Sequence, residues 1–313
     1  MQKRTVTFFN LGALLAAILG LHLDFQNLNA HGYYDSLVQR DVGSAVQRDL
    51  VQTDIRSTAT AAVSDSFEES DILMVDLPDA LDYATSLDDM GISLHPGSDF
   101  MPDSDGDPSS VSYCKSLVYR TLKSLPKEPV NKLGNLTLYF SDTGRRGLGG
   151  GDTIILRCQN VTDQELVGVL VHEVGHIMDT GVLKGSNKTT ISEFRDGTAR
   201  VYENDPSLEF YRLSFENETT LREDASEYDF VSGYAMSDPF EDFAETYAYY
   251  ILHGTEFRDL TDNNLILSKK YEYMKTVVFE GREYFNGDEE IDQTERHYDV
   301  TVLPYDMERF FKI

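Results

Sequence analysis

Between residues 160 and 181 the chain reads NVTDQELVGVLVHEVGHIMDTG. Its apolar positions Leu166, Val169, Leu170, Val174 and Ile177 recur at three- and four-residue steps, the pattern of a helix with one buried face. Thr162 followed by Glu165 predicts a capping-box start, Asp163 sits at the positive helix end, and Gly181 predicts a stop. Upstream, KLGNLTLYFS (132–141) alternates apolar and polar positions and predicts a strand. RRGLGGGDTIILRC (145–158) predicts a glycine-rich turn running into a β-branched strand, DTIILRC. Two strands just ahead of the helix offer either an edge for an extended peptide or an ordinary hairpin with a flexible loop. A second helix is announced in SDPFEDFAETYAYYILHG (237–254), with Asp238 as N-cap and Pro239 at its first position. Phe240, Phe243, Ala244, Tyr247, Ala248 and Ile251 form its expected buried side. These elements predict an α+β fold: a small mixed sheet, the first helix behind it, and a mainly helical C-terminal half.

The pattern is different before about Asp71. Lys3 and Arg4 precede an apolar run from Phe8 to Leu23 that is short for a membrane span, and Leu28-Asn29-Ala30 is a tolerable cleavage site. Residues 1–30 therefore read as a signal peptide rather than an uncleaved anchor, which makes the chain secreted with no stable membrane span after cleavage. Residues 31–70 echo VQRD at 38–41 and 46–49 with VQTD at 51–54. They are polar, small and acidic, and read as a disordered linker or pro-segment. In an exported chain the two cysteines, Cys114 and Cys158, are expected to form one disulfide. Asn135, Asn160, Asn187 and Asn217 each open an N-x-S/T sequon.

Composition narrows the partners. Of 313 residues, 54 are Asp or Glu against 27 Lys or Arg, a formal charge of −27, and no basic stripe interleaves with aromatics. Nucleic acid is excluded as a partner on that field alone. Asp103, Asp105 and Asp107 alternate as in calcium loops, but the glycine position and the missing distal Glu depart from that pattern. A solvated acidic turn is preferred there, and Ca2+ has weak support.

The first helix carries the chemistry. His172 and His176 stand one turn apart on one side, so both imidazoles can reach a single zinc ion, and Glu173 beside them is placed to take a proton from water. A hydrolytic zinc site needs a third protein ligand. Thr180 stands four residues after His176, so the longer HExxHxxGxxH pattern is absent, and His22, His31, His95, His253 and His297 form no repeated pair. The second helix offers Glu241 and Glu245, one turn apart on a single face. Two carboxylates that close fit a ligand and an outer group orienting a ligand histidine, or else a solvated acidic stripe. Asp179, past the zinc helix, reads as a surface acid rather than a further outer carboxylate.

The segment SGYAMSDPFEDFAETYAYY resembles the C-terminal metal-binding stretch of the anthrax lethal factor-like metallopeptidases, a gluzincin group that takes in the Pro-Pro endopeptidases. In that family a Tyr precedes the ligand Glu by seven residues and a second Glu follows it by four, the spacing of Tyr234, Glu241 and Glu245 here. The resemblance covers about residues 130–285, within an expected zincin-like metallopeptidase domain over 71–313 whose part 71–130 it does not reach, and it implies His172, His176 and Glu241 holding one catalytic Zn2+. It implies Glu245 as an outer group on a ligand histidine, Glu173 as the base and Tyr234 as a phenol donor to the oxyanion. The glycine-rich stretch is similar to the family's substrate-side strand, and KKYEYMKTVVFEGREYF (269–285) to its closing helix. The longer interval from His176 to Glu241 marks an insertion, 183–225. The activity implied is that of an exported zinc endopeptidase acting on protein or peptide. The competing expectations are a secreted binding or envelope protein with a structural or vestigial zinc site, and a hydrolase of cell-wall amides.

Overall fold

Alternating leucines and isoleucines build the sheet. The computed structural model describes residues 83–96, 108–141, 144–287 and 297–312. Helix α1 (Tyr83–Asp89) leads into strand β1 (Ser93–Pro96); helices α2 (Pro108–Ser124) and α3 (Lys127–Lys132) precede β2 (Asn135–Tyr139), β3 (Gly147–Gly150) and β4 (Thr153–Arg157). The sheet order is β1-β2-β4-β3, with β1, β2 and β4 parallel and β3 antiparallel to β4. Leu136, Leu138, Ile154 and Leu156 point into the core while their neighbours stay partly exposed, the period-two pattern read from the sequence. Two expectations are refined. The strands over 132–141 and 152–158 lie parallel, and the glycine-rich stretch is first an edge strand, Gly147–Gly150, and only then the expected turn, at Gly151 and Asp152, which leads back antiparallel into β4. Gly147–Gly150 can occupy that place because the strand lies against a helix with no room for side chains.

That helix is α4 (Asp163–Ile177), capped by Thr162, whose side chain accepts from the Glu165 amide at 3.2 Å. The Glu165 carboxylate goes to Arg146. Instead of stopping at Gly181, the backbone runs from Ile177 into a π-helical turn, Met178–Val182. The insertion 183–225 holds β5 (Ile191–Asp196), β6 (Ala199–Tyr202), α5 (Ser207–Tyr211), β7 (Phe215–Asn217) and β8 (Thr220–Leu221), whose strands form two two-stranded sheets. Helices α6 (Pro239–Leu252), α7 (Gly254–Thr261), α8 (Leu265–Tyr273) and α9 (Met307–Phe310) complete a mainly helical C-terminal half. The closing helix expected over 269–285 ends as a second π-helical turn, Met274–Val278. This mixed arrangement of small sheets and several helices is compatible with the α+β expectation.

Helix α6 is the centre of the core. Asp238 accepts from the amides of Phe240 at 2.9 Å and Glu241 at 3.0 Å, with Pro239 at the first helical position. Every residue of α6 except Glu241 is buried, more than the one-sided burial expected, because α4, α8 and the turn before α6 enclose it. α4 and α6 pack closely because Gly175 has no side chain: a Cβ there would stand 3.0 Å from the Ala244 Cα. Cys114 and Cys158 form the expected disulfide, tying α2 to the end of β4.

Asp76–Asp196 with Arg200–Ile313 forms one compact unit; of the rest of the chain only Gly197–Ala199 lies among the described residues. The predicted signal peptide, the 31–70 segment and the acidic loop at Asp103, Asp105 and Asp107 lie outside the described residues. Among the described residues no helix is long and apolar enough to cross a membrane.

Candidate metal centre

The close approach of α4 and α6 brings the two halves of the site together. Glu241 Oε2 stands 3.2 Å from His172 Nε2 and 3.3 Å from His176 Nε2. Around a tetrahedral zinc with ligands at about 2.0–2.1 Å, neighbouring donors are roughly 3.3–3.4 Å apart, so these separations suit three donors facing one ion. Glu241 Oε2 is buried and has no hydrogen-bond partner among the described residues, which is costly unless a cation completes it. His172, Glu173 and His176 each offer a donor atom within 4.8 Å of the others. The residues present thus fit a zinc ion.

Behind the histidines the polar groups are satisfied. His172 Nδ1 lies 2.9 Å from Glu245 Oε1, and Ser232 Oγ and the Val300 amide donate to Glu245 Oε2 at 2.6 and 3.0 Å. A carboxylate on Nδ1 places the imidazole proton there and leaves Nε2 as a lone-pair donor facing Glu241. Glu245 is fully buried. Burial raises its pKa and outweighs the opposing pull of the His172 hydrogen bond. Burial alone would depress the His172 imidazole, but the Glu241 and Glu245 carboxylates together hold it well above its ordinary value. Burial would likewise raise Glu241, yet the two imidazoles beside it hold it well below the usual carboxylate range. For Glu173, burial dominates and its pKa is raised despite the nearby histidines.

The remaining expected residues are placed as follows. The Tyr234 hydroxyl donates to Glu241 Oε1 at 3.0 Å, and its ring stacks near His172 at 6.1 Å. Glu173 lies under β3: a Cβ on Gly147 would collide with its carboxylate, and one on Gly149 would come within 2.8 Å of Oε2. Asp179 corrects the expectation of a surface acid. It is 1% exposed, accepts from Tyr211 Oη at 2.6 Å on both oxygens, and is pushed up to about 8 chiefly by burial. The π-helical turn that follows α4 carries it inward against α5.

Three contributors had no adequate sequence signal. Ser232 lies two residues before Tyr234, in the segment that carries the resemblance, but nothing local ties it to Glu245. The Val300 amide is backbone, which any residue type can supply. The facing of Gly147 and Gly149 on Glu173 depends on the sheet order.

Residues 160–292 match a family model described as "Putative zinc-binding metallo-peptidase", so over that stretch, which contains His172, Glu173, His176, Tyr234, Glu241 and Glu245, the chain is similar to zinc metallopeptidases. No curated protein and no solved structure matches the chain.

Proposed function

We propose that this chain is an exported zinc-dependent endopeptidase of the gluzincin type, with its narrower likeness in the lethal factor-like group. The observation that carries the reading is the convergence of His172 Nε2, His176 Nε2 and Glu241 Oε2 beside Glu173. Those three residues hold the ion, and Glu245 orients His172. Zinc bound there acidifies water toward neutral pH and polarises the scissile carbonyl.

The chain's own groups do the rest. Glu173, with a pKa raised by burial, accepts the proton of the attacking water and passes it to the departing amine nitrogen. The Tyr234 phenol, resting on Glu241, donates to the oxygen that becomes negative as the carbonyl is attacked; losing such a donor costs roughly 10²–10³ in rate. Strand β3 pairs with β4 on one side only, among the described strands. An extended peptide adding to its other edge would run past Glu173 with its carbonyl near the site.

Glu173→Gln is the deciding experiment. Zinc content and cleavage of a peptide library are measured on both proteins: the variant keeps zinc and loses turnover. Turnover retained in the variant removes the mechanism. Zinc bound with no cleavage by the unaltered chain favours a structural site in a binding protein instead.

A further inference from the structure

A five-residue strap, His297–Thr301, borders the site from outside the segment, residues 160–292, that matches the zinc peptidase family. Its backbone does two jobs. The His297 and Tyr298 carbonyls accept from the amides of Gly233 at 2.9 Å and Tyr234 at 2.7 Å, fixing the turn that presents the Tyr234 phenol. Two residues on, the Val300 amide donates to Glu245 Oε2 at 3.0 Å, and through Glu245 it holds His172. Asp299 shapes the strap, accepting from the Thr301 amide at 2.8 Å and hydroxyl at 2.6 Å through Oδ1. The other Asp299 oxygen accepts from Arg146 Nη2, while Arg146 Nη1 donates to Thr301 Oγ1 at 2.8 Å and Glu165 Oε1 at 3.2 Å. Arg146 is the residue immediately before β3, the strand whose glycines lie on Glu173.

We propose that Arg146 is a positioning residue: by gripping Asp299 and Thr301 it ties the glycine edge strand to the strap, and so sets the orientation of His172 and of Tyr234. The inference rests on the zinc peptidase reading. A partly exposed ion pair by itself adds little to stability. Groups that orient a metal-binding histidine, by contrast, are worth about 10–100-fold in metal affinity or activity. The grip joins residues more than 150 positions apart and holds the strap whose backbone bonds Glu245 on one side and the Tyr234 turn on the other. Movement of β3, as when a peptide pairs with its edge, would therefore be felt at His172 and Tyr234.

The test uses the full chain with Arg146→Met, Asp299→Asn, the double variant and Arg146→Lys. Zinc affinity is measured by competition with a chelating dye, also on a Glu173→Gln background, and kcat, KM and Tm are recorded. Arg146→Met is expected to weaken zinc about tenfold and lower kcat about 10–100-fold, with KM within about twofold and a fall in Tm, from an Asp299 carboxylate left without its cation, that is too small to account for the zinc loss. Because the two side chains share one contact and each also holds Thr301, the double variant is expected to lose clearly less than the sum of the two single losses. Arg146→Lys, which keeps the charge, recovers part of the loss. The proposal is overturned by unchanged zinc affinity in Arg146→Met, by a change in KM alone, by additive losses in the double variant, or by a zinc loss no larger than Tm accounts for. Failure of the peptidase reading looks different: the unaltered chain binds zinc but cleaves nothing, and the zinc arm still decides the role of Arg146.

Discussion

Helix α6 carries two buried carboxylate systems side by side. On one face, Glu241 and Glu245 meet His172 and His176. On another, one residue along, Asp242 accepts from Lys270 Nζ at 2.9 and 2.7 Å; that ammonium also donates to the Asp229 carbonyl at 2.7 Å and lies 4.1 Å from the Phe230 ring centre. Both systems set buried acids against basic groups. They differ in what is left over. Lys270 spends its three donors on Asp242 and the Asp229 carbonyl, whereas Glu241 Oε2 faces two imidazoles with no hydrogen-bond partner among the described residues, on a side chain that is 18% exposed. A fully satisfied pair is a clamp; an incomplete one that solvent can reach is a site. The clamp matters to the site nonetheless, since it fixes Asp229, three residues before Ser232.

The contrast can be broken in steps. The largest effect is expected from Glu241→Ala, which removes the proposed third ligand and should weaken zinc by more than the roughly 10–100-fold that loss of an outer partner costs. Equal weakening by Asp242→Ala, read by the same dye competition, would show that the wrong carboxylate was chosen. Next, Lys270→Met leaves Asp242 buried without its cation and should destabilise the fold by about 3–5 kcal/mol in denaturant titration, while the folded fraction still binds zinc. Glu245→Gln comes third: an acceptor remains for His172, but the new NH2 then faces the Val300 amide donor, so zinc affinity should fall by about 10–100-fold and Tm should fall with it.

The smallest effect at neutral pH belongs to His253, at the C-terminal end of the same helix. It is fully buried, neither ring nitrogen has a hydrogen-bond partner among the described residues, and burial chiefly holds its pKa down at about 3. The folded state therefore favours the neutral ring while the unfolded chain protonates below about 6.5. The resulting contribution is fully present above that value and is lost as pH falls from about 6.5 to 3, on the order of a few kcal/mol. His253→Phe, in surroundings already containing Tyr249 and Tyr305, should leave stability at pH 7 within about 1 kcal/mol and flatten the acid limb of the stability–pH curve. An unchanged acid limb would assign acid sensitivity elsewhere.

Legibility followed distance along the chain. Thr162 and Asp238 cap neighbours two or three residues away, the two histidines are one turn apart, and the leucines of β2 and β4 alternate. Such relations are written locally, so periodicity and caps placed α4, α6 and two strands. The pairing of Cys114 with Cys158 was also within reach, because only two cysteines exist. Asp179 was misjudged because local position put it at a helix end, while Tyr211, 32 residues on, and the π-helical turn bring it inside. The first part of the glycine stretch was misjudged because turn and edge strand use the same residue when no side chain fits.

By itself the sequence determined two helices, α4 and α6, with their starts and the chemistry-bearing residues they carry, since backbone hydrogen bonding and side-chain periodicity act over a few residues. Only the tertiary structure decided that Glu241 meets both imidazoles, that Glu245 is held by Ser232 and a backbone amide, and that Arg146 reaches Asp299. Those contacts join separate elements, and their geometry follows from how α4, α6 and the sheet pack rather than from any local pattern.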